Sequence, residues 1–522
     1  MQALRALAAL ACATTAGALL PDFCVSDSKG WVTALANPCP PATTAIRGVG
    51  VNLFDILWGA WGTGGANASL ATAKAGLRDA AMSGFTFARV FGSPFSYKDW
   101  AWAAGGAARD AYWAAAAEVV AEAERCGVKL VPSLSYGCPD STSPCNPAVQ
   151  YNETYREFIT NASSRTRGAL RAYHQDFVTR FKDSPAILFW ELGNEMNLGW
   201  DGCSYDKSAG AYFTTAEGLA YLAEAAADVK AIDAERPVNY GLGSPRSRAK
   251  RLMAIPGGAG AACVTPQNPK GDCELCFNVP ADSQADYSDV LALYYAQSDT
   301  VSAHYYGCNA PYGNLSWCSD PASTAPLGAF RAAAEALGKP LFVGEFGPGS
   351  GQWANATGPA ILVGMAGVGV PLSALWAFEC PSHDAYSQPG FCLHPGRPAA
   401  QPYTAQVTEL ARSVNRQLQA PPRPPAASNM SLVMLPPPTG APGEAACLDG
   451  SGYGYYALPG SVNKWLVMLQ GGGWCFHLED CQARTQPGYA DGSLGSSRYW
   501  QNWTWKFDLG ADFADWGALF FP

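Results

Sequence analysis

Two glutamates stand where short apolar runs end. One closes Ile187-Leu-Phe-Trp-Glu-Leu-Gly-Asn-Glu195-Met-Asn, directly after Asn194, and the other lies in Leu341-Phe-Val-Gly-Glu345-Phe-Gly. Such a pair can divide the work of cleaving a glycosidic bond. One carboxylic acid gives a proton to the leaving oxygen while the other carboxylate meets the anomeric carbon, and a retaining reaction sets them roughly 5–5.5 Å apart. Either residue alone also suits a surface ion pair; the strand-end setting of both favours chemistry. Glu191, inside the apolar run, reads as a buried structural carboxylate, with replacement of Glu195 as the acid kept as the alternative.

The elements needed to bring these residues together are legible as a repeat. Apolar, β-rich runs at 46–52, 85–91, 128–134, 187–192, 237–241, 300–304, 341–345 and 372–378 alternate with helical patterns at 70–82, 107–125, 166–181, 216–232 and 326–337. Near-continuous apolar strands separated by helices indicate a parallel sheet covered on both faces. Eight such units predict an α/β fold, a (β/α)8 TIM barrel over residues 40–418, whose chemistry belongs at the C-terminal strand ends. Glu195 and Glu345, on the fourth and seventh strands, then face one another across the barrel mouth. A doubly wound open sheet is the competing architecture, disfavoured because no Gly-rich phosphate loop follows the first strand.

Residues 45–415 resemble clan A glycoside hydrolases, most closely family 5, which includes endo-glucanases and endo-mannanases. The resemblance is carried by Asn194-Glu195, His304-Tyr305-Tyr306, Gly344-Glu345-Phe346-Gly347, Trp376, Arg89, and Arg47-Gly48-Val49 with Asn52. It implies that Glu195 is the acid/base, protonated near neutral pH through proximity to the second carboxylate. It implies that Glu345 is the nucleophile, kept ionised and oriented by Arg89 and Tyr306. Asn194 is implied to bond the sugar 2-OH, His304 to position the acid or the sugar, and Trp376 to form the floor under the sugar. Core packing is the competing reading for His304 and Trp376, and a structural ion pair for Arg89. The chain departs from many family 5 glucanases after the third strand, where Val131-Pro-Ser-Leu-Ser-Tyr136-Gly carries no His. That leaves mannanase-like and other subfamilies open. Trp58, Trp61, Trp100 and Trp102 are candidates for further sugar subsites or for plain packing.

A Pro-rich linker at 419–428 marks a boundary, since prolines repeated at this density cannot continue a helix. The texture then turns to Gly, Trp and Tyr. Residues 429–522 resemble the pectin acetylesterase and Notum family of α/β-hydrolase-like carboxylesterases. The match lies in Cys447-Leu-Asp-Gly-Ser-Gly-Tyr-Gly-Tyr-Tyr, Trp465-Leu-Val-Met-Leu-Gln-Gly-Gly-Gly-Trp474-Cys, Glu479-Asp-Cys481, Leu494-Gly-Ser-Ser-Arg-Tyr-Trp500 and Asp512-Phe-Ala-Asp-Trp516. A strand entering Gly471-Gly472-Gly473 can present backbone N–H groups to an oxyanion. No G-x-S-x-G run occurs here, and the family's Ser, Asp and His do not appear, so this piece is expected to be truncated and not an esterase.

The compartment follows from the first twenty residues and the cysteines. A short charged start precedes an apolar Ala/Leu run ending at Leu20, which reads as a signal peptide over 1–20. Of 17 cysteines, Cys12 falls in that run and the remainder is even. Cys138/Cys145, Cys273/Cys276, Cys308/Cys318 and Cys380/Cys392 lie in Gly/Pro/Ser-rich stretches and suggest disulfides over metal. Sequons at Asn67, Asn152, Asn161, Asn314, Asn355, Asn429 and Asn502 agree with an extracellular glycoprotein.

Charged residues make up 15% of the chain and the net charge is −9, with no basic stripe, which excludes nucleic acid as an expected partner. No membrane span is expected, and the protein is expected to act as a monomer. Two-carboxylate chemistry implies neither metal nor organic cofactor. The resulting expectation is a secreted retaining endo-β-glycosidase acting on a cell-wall-type polysaccharide, β-1,4-glucan or mannan. An esterase for acetylated wall polysaccharide and a non-catalytic carbohydrate-binding barrel are the alternatives.

Overall fold

The computed structural model describes residues 20–53, 56–60, 69–92, 105–136, 151–201, 213–255, 280–308, 315, 317–318, 323–347, 357–378, 393, 404–419, 431–435, 453–458, 465–469 and 517–521. The 1–19 part of the leader, the 420–428 part of the linker, Trp61, Trp100, Trp102 and the side chain of Trp58 lie outside them. So do the pairs Cys138/Cys145, Cys273/Cys276 and Cys380/Cys392, the Gly471–Gly473 loop, and the sequons other than Asn152 and Asn161. The chain divides into two compact units, Met1–Leu418 and Gln419–Pro522.

The first unit opens with an antiparallel sheet that the sequence reading does not include. It comprises β1 (Asp22–Ser26), β2 (Val32–Ala36) and β3 (Thr43–Ile46), in the order β2-β1-β3. A disulfide between Cys24 and Cys39 closes it. The predicted first barrel strand at 46–52 is accordingly shortened, because Ile46 pairs with Phe23 in this sheet.

The barrel strands are β4 (Gly48–Asn52), β5 (Phe87–Phe91), β6 (Lys129–Tyr136), β7 (Trp190–Asn194), β8 (Val238–Asn239), β9 (Val301–Tyr305), β10 (Leu341–Phe346) and β11 (Leu372–Leu375). Their order is β8-β7-β6-β5-β4-β11-β10-β9, and neighbours run parallel. The eight strands thus form the expected (β/α)8 wall. At the seam between β8 and β9, cross-links replace a ladder: the Asp299 N–H donates to the Val238 carbonyl (3.3 Å) and the Thr300 hydroxyl to Asn239 Oδ1 (3.1 Å). The predicted strand at 237–241 shrinks to two residues there.

The intervening helices start and stop where local chemistry dictates. Ser69 with Thr72, Thr154 with Glu157, Thr214 with Glu217, and Ser283 with Asp286 form reciprocal caps that satisfy orphan backbone donors. Leu70–Met82, Gly106–Cys126, Arg165–Phe181, Thr215–Lys230 and Ala325–Leu337 bury their apolar faces against the barrel wall. The last helix, Thr404–Gln419, is clamped to the first strand: Asn415 Oδ1 accepts from the Val49 N–H (2.5 Å) and its Nδ2 donates to the Val49 carbonyl (2.9 Å).

The inside of the barrel changes character with height. Phe87, Val131, Phe189, Phe342 and Leu372 form an apolar floor, on which Phe23 and Val32 of the N-terminal sheet pack. Phe23 stacks on Phe189 with centroids 5.2 Å apart, and Arg47 bonds Asp22 through two 2.7 Å contacts that fasten the sheet. Side chains alternate along a strand, so the residue two positions on points to the same face. Two positions above the floor stand Arg89, Ser133, Glu191 and Gly344, and the barrel turns polar.

The second unit contains β12 (Ser431–Met434), β13 (Gly454–Leu458), β14 (Trp465–Leu469) and β15 (Gly517–Phe521), in the order β12-β13-β15-β14. Only β14 and β15 are parallel. The strand expected before Gly471 is present as β14.

Candidate active site

The polar layer is organised by Arg89, which projects from β5 and is fully buried. Its Nε donates to Glu191 Oε1 (2.7 Å), its Nη2 to Asn194 Oδ1 (2.7 Å), and its Nη1 to both Glu345 Oε1 (2.8 Å) and Asn52 Oδ1 (3.1 Å). One planar cation therefore ties β4, β5, β7 and β10 together. Only arginine presents enough fixed donors for this. Asn52 adds a strut from its amide nitrogen to the Gly344 carbonyl (2.9 Å).

Glu345 is buried near the end of β10, where the pairing register with β9 shifts between Val343 and Glu345. Its Oε1 accepts from Arg89, and its Oε2 accepts from the Tyr306 hydroxyl at 2.6 Å. Burial raises its pKa above the ordinary carboxylate value; the neighbouring Glu195 acts in the same sense, while His304, Arg89 and the Tyr306 bond oppose it.

Glu195 lies just past β7 in a left-handed backbone conformation, φ 53°. Its N–H donates to the Gly241 carbonyl (2.8 Å). Gly241 has φ 69°, and a Cβ there would lie 1.8 Å from the Gly193 carbonyl oxygen, so only glycine fits. A Cβ on Gly243 would reach 3.0 Å from Glu195 Oε1. These glycines of the Tyr240-Gly-Leu-Gly243 run let the loop after β8 approach the acid, a contribution absent from the sequence reading. Two closely spaced glycines after a strand were the available signal.

His304, from β9, completes the cluster. Its Nδ1 shares a hydrogen bond with Glu195 Oε1 at 2.8 Å and lies 3.6 Å from Glu345 Oε2. Burial lowers its pKa to about 4, so the imidazole is neutral at neutral pH. One oxygen of each glutamate and a His304 ring nitrogen all lie within 4.8 Å of one another. Three such donors can in principle face a cation. Here both Glu345 oxygens already accept from Arg89 and Tyr306, and Glu195 already shares a hydrogen bond with His304, so the set is a hydrogen-bonded cluster in which Arg89 offsets part of the negative charge.

Of the residues singled out in the sequence, Arg89, Asn194, Glu195, His304, Tyr306 and Glu345 meet in this cluster. Trp376 follows β11, is partly exposed, and has its ring centroid 6.5 Å from that of Phe91, whose ring lies 5.0 Å from the Arg89 guanidinium. Glu191 is fully buried and bonded by Arg89 and by Asn239 Nδ2 (2.8 Å). Arg47 sits away from the cluster, on the N-terminal sheet. Ser135, in the third strand where no His stands, donates to the Leu192 carbonyl (2.8 Å) and braces β7.

This is a TIM barrel with an acid–base cluster at its strand ends. The chain is 36% identical over 104 residues to mannan endo-1,4-beta-mannosidase F of Aspergillus fumigatus, covering 20% of this chain and 22% of that protein. It therefore spans about a fifth of the length of that relative. The endo-1,4-beta-mannanase structure from Rhizomucor miehei aligns at 17% identity, over 71% of this chain and 95% of that one, with a TM-score of 0.48. Residues 427–510 match the Pectinacetylesterase family model. Pectin acetylesterase 5 of Arabidopsis thaliana is 45% identical over 60 residues, 11% of this chain and 13% of that protein.

Proposed function

We propose that the first unit is a retaining endo-acting glycoside hydrolase for a β-1,4-linked wall polysaccharide, mannan before glucan. The observation that carries this reading is the close approach of Glu195 and Glu345 around neutral His304, with Arg89 and Tyr306 both hydrogen-bonded to Glu345. The asymmetry assigns roles. Glu345, paired with a cation, is the nucleophile; Glu195, hydrogen-bonded to a neutral imidazole, is the proton donor. Glu345 attacks the anomeric carbon as the bond to the leaving oxygen breaks and that oxygen takes the Glu195 proton. Glu195 then deprotonates a water, which attacks the same carbon and releases Glu345.

Asn194 commits its oxygen to Arg89, which leaves its amide N–H groups to donate to the sugar 2-OH. Trp376, partly exposed beside the cluster, suits an apolar sugar face. The mannan preference draws on the name of the Aspergillus fumigatus relative and on the missing His after the third strand.

Secretion is part of the same reading, supported by the apolar leader, the Cys24–Cys39 and Cys308–Cys318 disulfides and exposed Asn152 and Asn161. Among the described residues no helix is long and apolar enough to cross a membrane. For the second unit, at 429–522, we propose a pectinacetylesterase-like segment whose residues include an oxyanion-loop candidate but no G-x-S-x-G nucleophile. Ester cleavage is not assigned to it.

The test is a panel of mannans, glucans and xylans with wild type, Glu345→Ala and Glu195→Gln, following the anomer first formed by proton NMR. Hydrolysis with retention, lost in Glu345→Ala and crippled in Glu195→Gln, is expected. Undiminished hydrolysis in both variants refutes the assignment, and turnover of a chromogenic acetyl ester by this chain refutes the reading of the second unit.

A further inference from the structure

Glu191 takes no part in the bond-making steps above, yet it is one of the most completely buried charged groups in the barrel. Its side chain is 0% exposed, as is that of Arg89. Its Oε1 accepts from Arg89 Nε at 2.7 Å and lies in ion-pair contact with Arg89 Nη2 at 2.6 Å, and its Oε2 accepts from Asn239 Nδ2 at 2.8 Å. A second buried carboxylate beside one cation is an expensive way to hold a strand, since desolvating each ion costs several kcal/mol. Stability alone would be served by Arg89 and Glu345 as a one-to-one pair.

We propose that Glu191 is a positioning residue: by holding the opposite edge of Arg89 it divides that cation between two carboxylates and limits its grip on Glu345. This rests on Glu345 being the nucleophile. A carboxylate held alone by a buried guanidinium is a stabilised anion and a poor attacking group. A carboxylate that shares the guanidinium keeps its orientation while retaining more of its basicity.

The other groups facing these side chains complete the charge balance. Glu345 is faced by Arg89 from β5, Glu195 beyond β7, and His304 and Tyr306 from β9 and the residue after it. Glu191 is faced by Arg89, by Asn239 of β8, by the Tyr295 phenol from the helix Gln284–Tyr295, and by the His304 imidazole of β9. Arg89 is the only permanent cation in that set, so removing Glu191 leaves its whole charge to Glu345.

The experiment uses the full chain, as wild type, Glu191→Gln and the double variant Glu191→Gln/Asn239→Asp. Gln keeps an oxygen for Arg89 but turns an N–H toward Asn239, whose Oδ1 is already used by Thr300. The Asp in the double variant accepts that N–H, so hydrogen bonding is restored while the negative charge leaves contact with Arg89. The carboxyl carbon of Glu345 is followed by NMR titration of 13C-glutamate-labelled protein and assigned by its loss in Glu345→Gln.

In Glu191→Gln the Glu345 titration is expected to move down by about one pH unit, as for a carboxylate that gains an undivided cation, and in the double variant, whose new carboxylate at position 239 stays one contact from Arg89, to move the same way by less. The acid limb of kcat/KM should move with it, and kcat should fall several-fold with KM little changed. An unmoved titration in either folded variant overturns the proposal, and so does failure of both variants to fold, which assigns Glu191 a structural role only. Wild type that cleaves no glycan refutes the glycosidase reading instead, and the NMR titration still decides the role of Glu191.

Discussion

Nδ1 of His304 stands 2.8 Å from Oε1 of Glu195, although the two residues come from strands on either side of β8. One proton lies between two groups that are both candidates to carry it. Because burial lowers the His304 pKa to about 4, the imidazole is a neutral partner that orients the Glu195 carboxyl. His304→Ala is therefore expected to lower kcat on polysaccharide by about 10²-fold, the low end of what a placed general acid contributes. An aryl glycoside with a nitrophenolate leaving group needs no proton and should lose far less. Equal losses on both substrates would show that His304 does not work through Glu195.

Arg89 makes a second prediction, about stability as well as rate. Arg89→Met leaves Glu191 and Glu345 as buried carboxylates without a cation, and breaking a buried ion pair in this way costs about 3–5 kcal/mol. Urea denaturation at neutral pH should show that loss. Arg89→Lys retains the charge but cannot reach Glu191, Asn194 and Glu345 together, so it should fold and be nearly inactive. A fully stable Arg89→Met would contradict the network described above.

How much of this was readable beforehand depends on whether a signal is local. Glu195 and Glu345 stand out because each follows an apolar run, and the helix at 70–82 is legible from its Ala-rich helical pattern. The partners of Glu191 are not, since Arg89 lies 102 residues away and only barrel closure joins them. The N-terminal sheet escaped because its strands are short and lie in a Cys- and Pro-containing stretch with little alternation. The strand at 237–241 was read too long because β8 gives up its ladder at the seam and is cross-linked through Asn239, Asp299 and Thr300 instead. Gly241 and Gly243 could be seen as glycines, but not as the clearance for Glu195.

His174 carries a prediction about pH. It lies in the helix Arg165–Phe181, is 4% exposed, and its Nε2 has no hydrogen-bond partner among the described residues. Burial lowers its pKa to about 4 in the folded state, against about 6.5 when unfolded. The unfolded chain therefore binds a proton that the folded one refuses. The associated stability, about 3 kcal/mol, is complete above pH 6.5 and lost as the pH falls through 4. Chemical denaturation at pH 7, 5.5 and 4.5 should show this slope in wild type and a shallower one in His174→Leu. Identical slopes would place the acid sensitivity elsewhere.

The last prediction concerns the plug beneath the barrel. Cys24 is adjacent to Phe23, whose ring stacks on Phe189 of the apolar floor, and its disulfide to Cys39 closes a loop with a sequence separation of 15. Cross-linking a loop of that size restricts the unfolded chain by about 3 kcal/mol. The double variant Cys24→Ser/Cys39→Ser should therefore unfold at lower temperature and lower denaturant concentration than wild type. The Arg89–Glu345 cluster lies toward the other end of the strands, held by Arg89 and not by the N-terminal sheet. Specific activity at 25 °C should accordingly be retained while thermal stability falls. Loss of activity in a variant that is still fully folded would mean that the floor of the barrel also positions its mouth.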